Sequence, residues 1–225
     1  MPTILITGAN RGIGYALCES YLKDGWRVIG TARRPDAQLP EGAELCVLDA
    51  SNYSSIEQLA VQLKDIPLDV IWNNAGVYLD KNVDFAQLDT QTWLATFAIN
   101  TVAPIQIAQA LQSNLAQSTR KVLAFTTSKM GSLEHNGSQA YAYRSSKSAL
   151  NMAVRCLANE LATQKISCLM LHPGHVKTDM GGEEGAIDKA TSVAGMRSIV
   201  DGVESNNYPS QNSQFFDYDG STIPW

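Results

Sequence analysis

The chain has no run of apolar residues long enough to cross a bilayer as a helix. Its first residues, MPTILITGANRG, show neither a basic start nor an apolar core of signal-peptide length. An excess of positive charge is missing too: 17 Lys and Arg stand against 22 Asp and Glu, for a formal net charge of −5. These absences argue against a membrane helix, and against nucleic acid or an anionic membrane as main partner. A soluble, cytoplasmic protein is expected. Cysteine is scarce, and none of Cys18, Cys46, Cys156 and Cys168 forms a C-x-x-C pair. The chain has only three histidines and no cluster of them. No metal site and no disulfide is expected, and the thiols read as small buried side chains. Without internal repeats, low-complexity tracts or linkers, residues 1–225 are expected to form one domain.

What is present is a large supply of core. Hydrophobic residues make up 44% of the chain and charged residues 17%, which excludes a disordered chain. Seven short apolar runs read as strands: TILIT (3–7), RVIGTA (27–32), ELCVL (44–48), DVIW (69–72), KVLAFTT (121–127), ISCLML (166–171) and QFFDY (214–218). Strands this apolar are buried on both faces, as in a parallel sheet covered by helices. Helical patterns separate them, from about Ile13, over SSIEQLAVQL with Ser54 or Ser55 as cap, over Thr90 to Gln117, and over Ala140 to Ala162. The polar piece GGEEGAIDKATS (181–192) reads as a loop. Alternation of this kind predicts an α/β fold: a single doubly wound Rossmann-type domain, with a mostly parallel seven-stranded sheet and helices on both faces.

The first strand runs directly into TGANRGIG, where Gly8, Gly12 and Gly14 have the spacing G-x-x-x-G-x-G. Backbone without Cβ can turn tightly and approach a pyrophosphate, and the following helix directs free N–H groups at the phosphates. A strand before and a helix after make this a dinucleotide site rather than a plain turn. A second signal lies in AYAYRSSKSALN (140–151). Lys147 stands one helical turn beyond Tyr143, on the same face, whereas Tyr141 has Ser145 at that offset. A free phenol titrates near pH ~10, and a fixed positive charge beside it favours phenolate. That makes Tyr143 the candidate acid and Lys147 the residue expected to lower its pKa. A third signal is NTVAP, which puts Pro104 four residues after Asn100. Proline cannot donate to the helical carbonyl four residues back, so the Asn100 carbonyl is expected to be free for water.

Together with NNAG (73–76), TTSKMG (126–131) and HPGHVKTDM (172–180), these motifs resemble, in order and over essentially the whole chain, the short-chain dehydrogenase/reductase family. YAYRSSKSALN, PGHVKTDMGG and the closing YDGSTIPW are most similar to its carbonyl-reductase-like branch, the sniffer and C-factor proteins. The resemblance implies Asn100, Ser128, Tyr143 and Lys147 as catalytic residues. Asn100 would hold a water relaying protons to the lysine, Ser128 would donate to the substrate oxygen as charge develops, and Lys147 would also hold the nicotinamide ribose. It implies cofactor contacts from Gly8, Asn10, Arg11, Gly12, Ile13 and Gly14, from Asp49 and Ala50, from Asn74, Ala75 and Gly76, from Tyr143 and Lys147, and from Pro173, Gly174, Val176 and Thr178. Two departures stand out: Thr127 where a second Ser is common, and a gap of fifteen residues between Ser128 and Tyr143. The residues between are expected to form a loop on the substrate side.

NAD-selective members place an acid at the end of the second strand. Here that strand ends GTARRPD, with Arg33 and Arg34 in place and Asp36 beyond Pro35. With Arg11 in the glycine loop, these guanidinium groups favour a 2′-phosphate. The expectation is NADP(H) favoured over NAD(H), and reduction of an aldehyde, ketone or quinone-like carbonyl to an alcohol, with the reverse oxidation as the same chemistry. The partner is then a small-molecule carbonyl or alcohol, and a homodimer or homotetramer is among the expected assemblies. A non-enzymatic dinucleotide sensor or signalling protein on the same fold is the alternative. The presence of all four catalytic residue types speaks against it. The length speaks against the longer sugar-nucleotide epimerases and dehydratases.

Overall fold

All seven apolar runs pair into one sheet in the computed structural model, which describes residues 1–135, 137–203 and 212–225. The strands are β1 (Thr3–Ile6), β2 (Arg27–Ala32), β3 (Glu44–Val47), β4 (Val70–Asn73), β5 (Val122–Thr126), β6 (Ser167–His172) and β7 (Gln214–Asp217). Their order is β3-β2-β1-β4-β5-β6-β7, and every pair is parallel. The helices are α1 (Gly12–Lys23), α2 (Tyr53–Gln62), α3 (Thr90–Phe97), α4 (Ala103–Ala110), α5 (Gln112–Ala116), α6 (Tyr141–Glu160) and α7 (Lys189–Asp201).

Alternation along the strands builds two cores. Leu5, Ile71, Leu123, Phe125 and Met170 pack under α2, α4, α5 and α6 through Ile56, Ile107, Leu115, Leu150 and Val154. Ile4, Ile6, Trp72, Ala124 and Leu171 pack under α1 and α7 through Leu17, Tyr21, Val193 and Met196. No described helix is long and apolar enough to cross a membrane.

Four expectations need correction. The tract from Thr90 to Gln117 is not one α-helix. A π turn at Ala98–Val102, with Ala103 N–H bonded to the Ala98 carbonyl, separates α3 from α4, and Leu111 breaks α4 from α5. Pro104 removes the N–H that a regular turn needs there, and a wider turn takes up the slack. Asn52, not a serine, caps α2: its side chain accepts from Ser54 N at 3.0 Å, because Ser55 Oγ is already accepting from Asp49 N at 2.9 Å. The polar piece 181–192 is a loop only as far as Asp188, whose carboxylate accepts from Thr191 N at 2.7 Å and starts α7. Cys156 is exposed on the outer stripe of α6, while the other three thiols are buried. Burial pushes Cys18 and Cys168 up to about 12, which leaves them as unreactive thiols at neutral pH.

Candidate active site

The carboxyl ends of β1, β4, β5 and β6 meet at one edge, where ligands bind in open parallel sheets. After β1, Gly8 adopts φ +68°, and a Cβ there would sit 3.0 Å from the Ala75 backbone. A Cβ on Gly14 would lie 2.1 Å from the Gly8 carbonyl. Only glycine allows the loop to close this tightly onto the start of α1. Asn10 and Arg11 are exposed at its crest, and Gly12 and Ile13 are half-buried.

The loop is tied to the end of β4. Thr7 Oγ1 accepts from Asn74 N at 3.0 Å and Ala75 N at 2.9 Å, and Asn74 Nδ2 donates to the Thr7 carbonyl at 3.1 Å. The Asn74 side chain thereby ties the end of β4 to the end of β1. Gly76 follows, where a Cβ would meet Asn100 Oδ1 at 3.3 Å and Lys147 Nζ at 3.6 Å. Asn100 is a strut: Oδ1 accepts from Val77 N at 2.9 Å, and Nδ2 donates to the Val77 carbonyl at 2.9 Å and Ser146 Oγ at 3.1 Å. Its side chain joins the turn after β4 to α6, which attention to its backbone carbonyl missed.

Ser128 lies just past the end of β5 at Thr126, where its hydroxyl accepts from Met130 N at 3.2 Å and starts the short turn Lys129–Gly131. The Ser128 side chain neighbours the Tyr143 phenol and favours its charged form. Lys147 Nζ donates to the Thr126 carbonyl at 2.9 Å and lies 5.9 Å from the centre of the Tyr143 ring. Tyr143 and Lys147 are both buried, at 8% and 4% exposure. The expected fall in the phenol's pKa is not observed. Burial pushes Tyr143 up to about 12, against the downward pull of the Ser128 hydrogen bond, and pushes Lys147 down to about 8. Loss of hydration is the largest cause of both shifts.

Other predicted residues are placed less simply. Asp49 Oδ1 accepts from Ser51 N at 2.9 Å and Ser51 Oγ at 2.6 Å, and these bonds hold its carboxyl below the usual range. Asp49 thereby holds the turn that follows β3, with half-buried Ala50 next to it. Pro173 and the left-handed Gly174 lead from β6 into a loop where Val176 bridges Ile187 and Thr178 bridges Gly182. Arg11 is paired with Asp179 at 3.3 Å, and Arg34 with Asp36 at 3.6 Å. Arg33 is exposed and in no ion pair among the described residues.

Three contacts had no local signal. The buried Asp80 carboxylate accepts from Ala142 N at 2.7 Å and Tyr143 N at 3.2 Å. Tyr78 stacks on Tyr143, with ring centres 4.3 Å apart. Arg144 Nη1 donates to the His135 carbonyl at 3.1 Å, which pins the expected substrate loop to α6. Asn136 of that loop lies outside the described residues.

His172 ends β6 beside Asp217. Burial pushes its imidazole from 6.5 down to about 4, and its Nδ1 has no hydrogen-bond partner. A depressed pKa means that stability is complete above pH 6.5 and falls as pH drops from there toward 4. His172→Gln is therefore expected to lose less stability than the native protein between pH 7 and pH 5. Urea midpoints at the two pH values give the comparison.

A family model described as short chain dehydrogenase matches residues 2–188. C-signal from Myxococcus xanthus is 40% identical over 164 residues, covering 71% of this chain and 93% of that protein. The carbonyl reductase Sniffer of D. melanogaster superposes with a TM-score of 0.91 at 32% identity, covering 100% of both chains. The NADPH-bound carbonyl reductase from chicken fatty liver superposes at 0.89 with 26% identity, covering 100% of this chain and 99% of that one. With the all-parallel sheet, the glycine loop after β1 and the Ser128, Tyr143 and Lys147 cluster at its edge, this chain belongs to the short-chain dehydrogenase/reductase family of oxidoreductases.

Proposed function

We propose that this protein reduces a small aldehyde, ketone or quinone-like carbonyl to an alcohol with NADPH, and that Tyr143 is the proton donor. One observation carries the reading: the Tyr143 phenol, Ser128 and Lys147 are buried together at the carboxyl edge of the sheet, with Lys147 Nζ 5.9 Å from the phenol ring centre. The protonated phenol is the group there that can give a proton to a substrate oxygen. Ser128 is placed to hydrogen-bond the same substrate oxygen as negative charge develops. Lys147, near 8 and 5.9 Å from the Tyr143 ring centre, would hold the ribose of a bound cofactor and place a positive charge beside the phenol. Asn100 keeps the turn at Val77 against α6, which fixes that geometry.

The glycine loop and the first turn of α1 fit a nucleotide diphosphate, since any Cβ at Gly8 or Gly14 would obstruct the turn. The nicotinamide cofactor supplies the hydride when bound. The chicken carbonyl reductase named above is described with NADPH. In this chain Arg33 is best placed for the 2′-phosphate, because Arg11 and Arg34 each have a carboxylate partner. Arg33→Ala is expected to lower kcat/KM for NADPH by about 10- to 100-fold, the worth of a charge-assisted hydrogen bond, with little change for NADH. Arg34→Ala should cost less. A native preference for NADH would refute the assignment.

The exposed apolar side chains Leu94, Val102 and Met152 fit assembly into a homodimer or homotetramer. The test of the activity is a panel of aldehydes, ketones and quinones assayed by loss of NADPH absorbance. No turnover across the panel would return the protein to a sensing role.

A further inference from the structure

The helix that carries Tyr143 begins without a cap of its own. Its N-cap position is Ala140, which has no side-chain acceptor, and both Ala140 (φ 54°) and Gln139 (φ 65°) are left-handed. A residue with a Cβ disfavours that conformation, and such pairs persist only where surrounding contacts hold them. The first N–H groups of a helix also need acceptors.

Asp80 supplies them from the far side of the chain. It is 2% exposed, and no ion pair among the described residues involves it. Its two oxygens accept from Ala142 N and from Tyr143 N itself. A buried carboxylate is tolerated there because two charge-assisted hydrogen bonds and the positive end of the helix dipole offset its lost hydration. The segment leading to it is equally committed. Asn100 clamps Val77 by both its N–H and its carbonyl. Tyr78 lies over the Tyr143 ring with an interplanar angle of 21°. Three contacts therefore hold the segment from Val77 to Asp80, and two of them reach Tyr143.

We propose that Asp80 is a positioning residue for Tyr143: with the stacked Tyr78 it fixes the backbone and ring of that residue, so that the phenol meets Ser128. The inference rests on the acid role assigned to Tyr143 above. A simple helix cap would contribute to stability alone, whatever side chain stood at position 143. A positioning residue contributes to turnover, and only while the phenol is there to be positioned.

A double-mutant cycle separates the two. Asp80→Asn, Tyr143→Phe and the double variant are assayed with benzaldehyde and menadione as probes, for kcat, KM for NADPH and thermal midpoint. Asp80→Asn keeps the size but puts an amide donor against one of the N–H groups. It is expected to lower kcat by about 10-fold or more, as a displacement well under 1 Å at a reacting group can, with KM for NADPH within about two-fold. In the Tyr143→Phe background the same change is expected to cost less than about two-fold in kcat. Native kcat in the folded Asp80→Asn protein overturns the proposal, and so does an equal loss in both backgrounds. If Asp80→Asn does not fold, the cycle is run on Asp80→Ser, a capping side chain that can accept from one of the two N–H groups but not both, and native kcat or an equal loss in both backgrounds overturns the proposal there as well. Native turnover in Tyr143→Phe overturns the acid assignment itself, whatever Asp80 does.

Discussion

Tyr143→Phe is expected to lower kcat by about 100- to 10,000-fold, the range that positioned general acids contribute. The substitution removes one hydroxyl and leaves the ring, so the stack with Tyr78 at 4.3 Å survives. The backbone bond to Asp80 also survives, and Lys147 keeps its bond to the Thr126 carbonyl. NADPH affinity, measured by fluorescence titration, should stay within about three-fold, since the variant loses at most one neutral hydrogen bond. Tyr141→Phe is the control two residues earlier. Tyr141 is exposed and faces Phe85 and Trp93 rather than Ser128, so its variant should keep most of the activity. A dead Tyr141 variant beside an active Tyr143 variant would reverse the assignment.

Lys147→Met is expected to abolish turnover and, at the same time, to stabilise the protein. Burial pushes the ammonium from 10.5 to about 8, so at pH 7 the fold holds a charge it disfavours. The sign follows from linkage: between about 8 and 10.5 the unfolded chain is protonated and the folded one is not, so native stability rises with pH through that window. Below it the full penalty is present. Methionine fills a similar space without charge, although it leaves the Thr126 carbonyl without that donor. The balance is a gain on the order of 1 kcal/mol, or roughly 3 °C in the thermal midpoint for a chain of this size. The rise in native stability from pH 8 to pH 10 should flatten in the variant. A lower midpoint for Lys147→Met at pH 7 would show that the buried ammonium contributes net stability instead. A site residue that costs stability is what a function-bearing position looks like.

Arg11 shows how far charge counting carries. The sequence places three arginines near one phosphate position. Only the folded chain shows that Asp179, from the loop after β6, already occupies Arg11 and that Asp36 occupies Arg34. Both pairs are exposed, and such pairs are weak. On the proposed NADPH reading, they bias the choice of phosphate contact toward Arg33 without forbidding the others.

The sequence by itself determined the layered fold, because its signals are local. Apolar runs of strand length require burial on both faces, and glycine at positions 8 and 14 marks a turn no other residue could make. The offset of Tyr143 from Lys147 likewise singled out one tyrosine before any coordinates. The tertiary structure decided what depends on neighbours distant in the chain. Asp80 reaches Tyr143 from 63 positions away, and Asn100 works through its side chain across 46 positions to Ser146. No periodicity or propensity encodes either contact. The phenol's pKa was decided in the same way: a cation one turn away argues for a low value, but the desolvation that raised it comes from the whole packed environment of α6, which exists only once the sheet and its helices have closed around it.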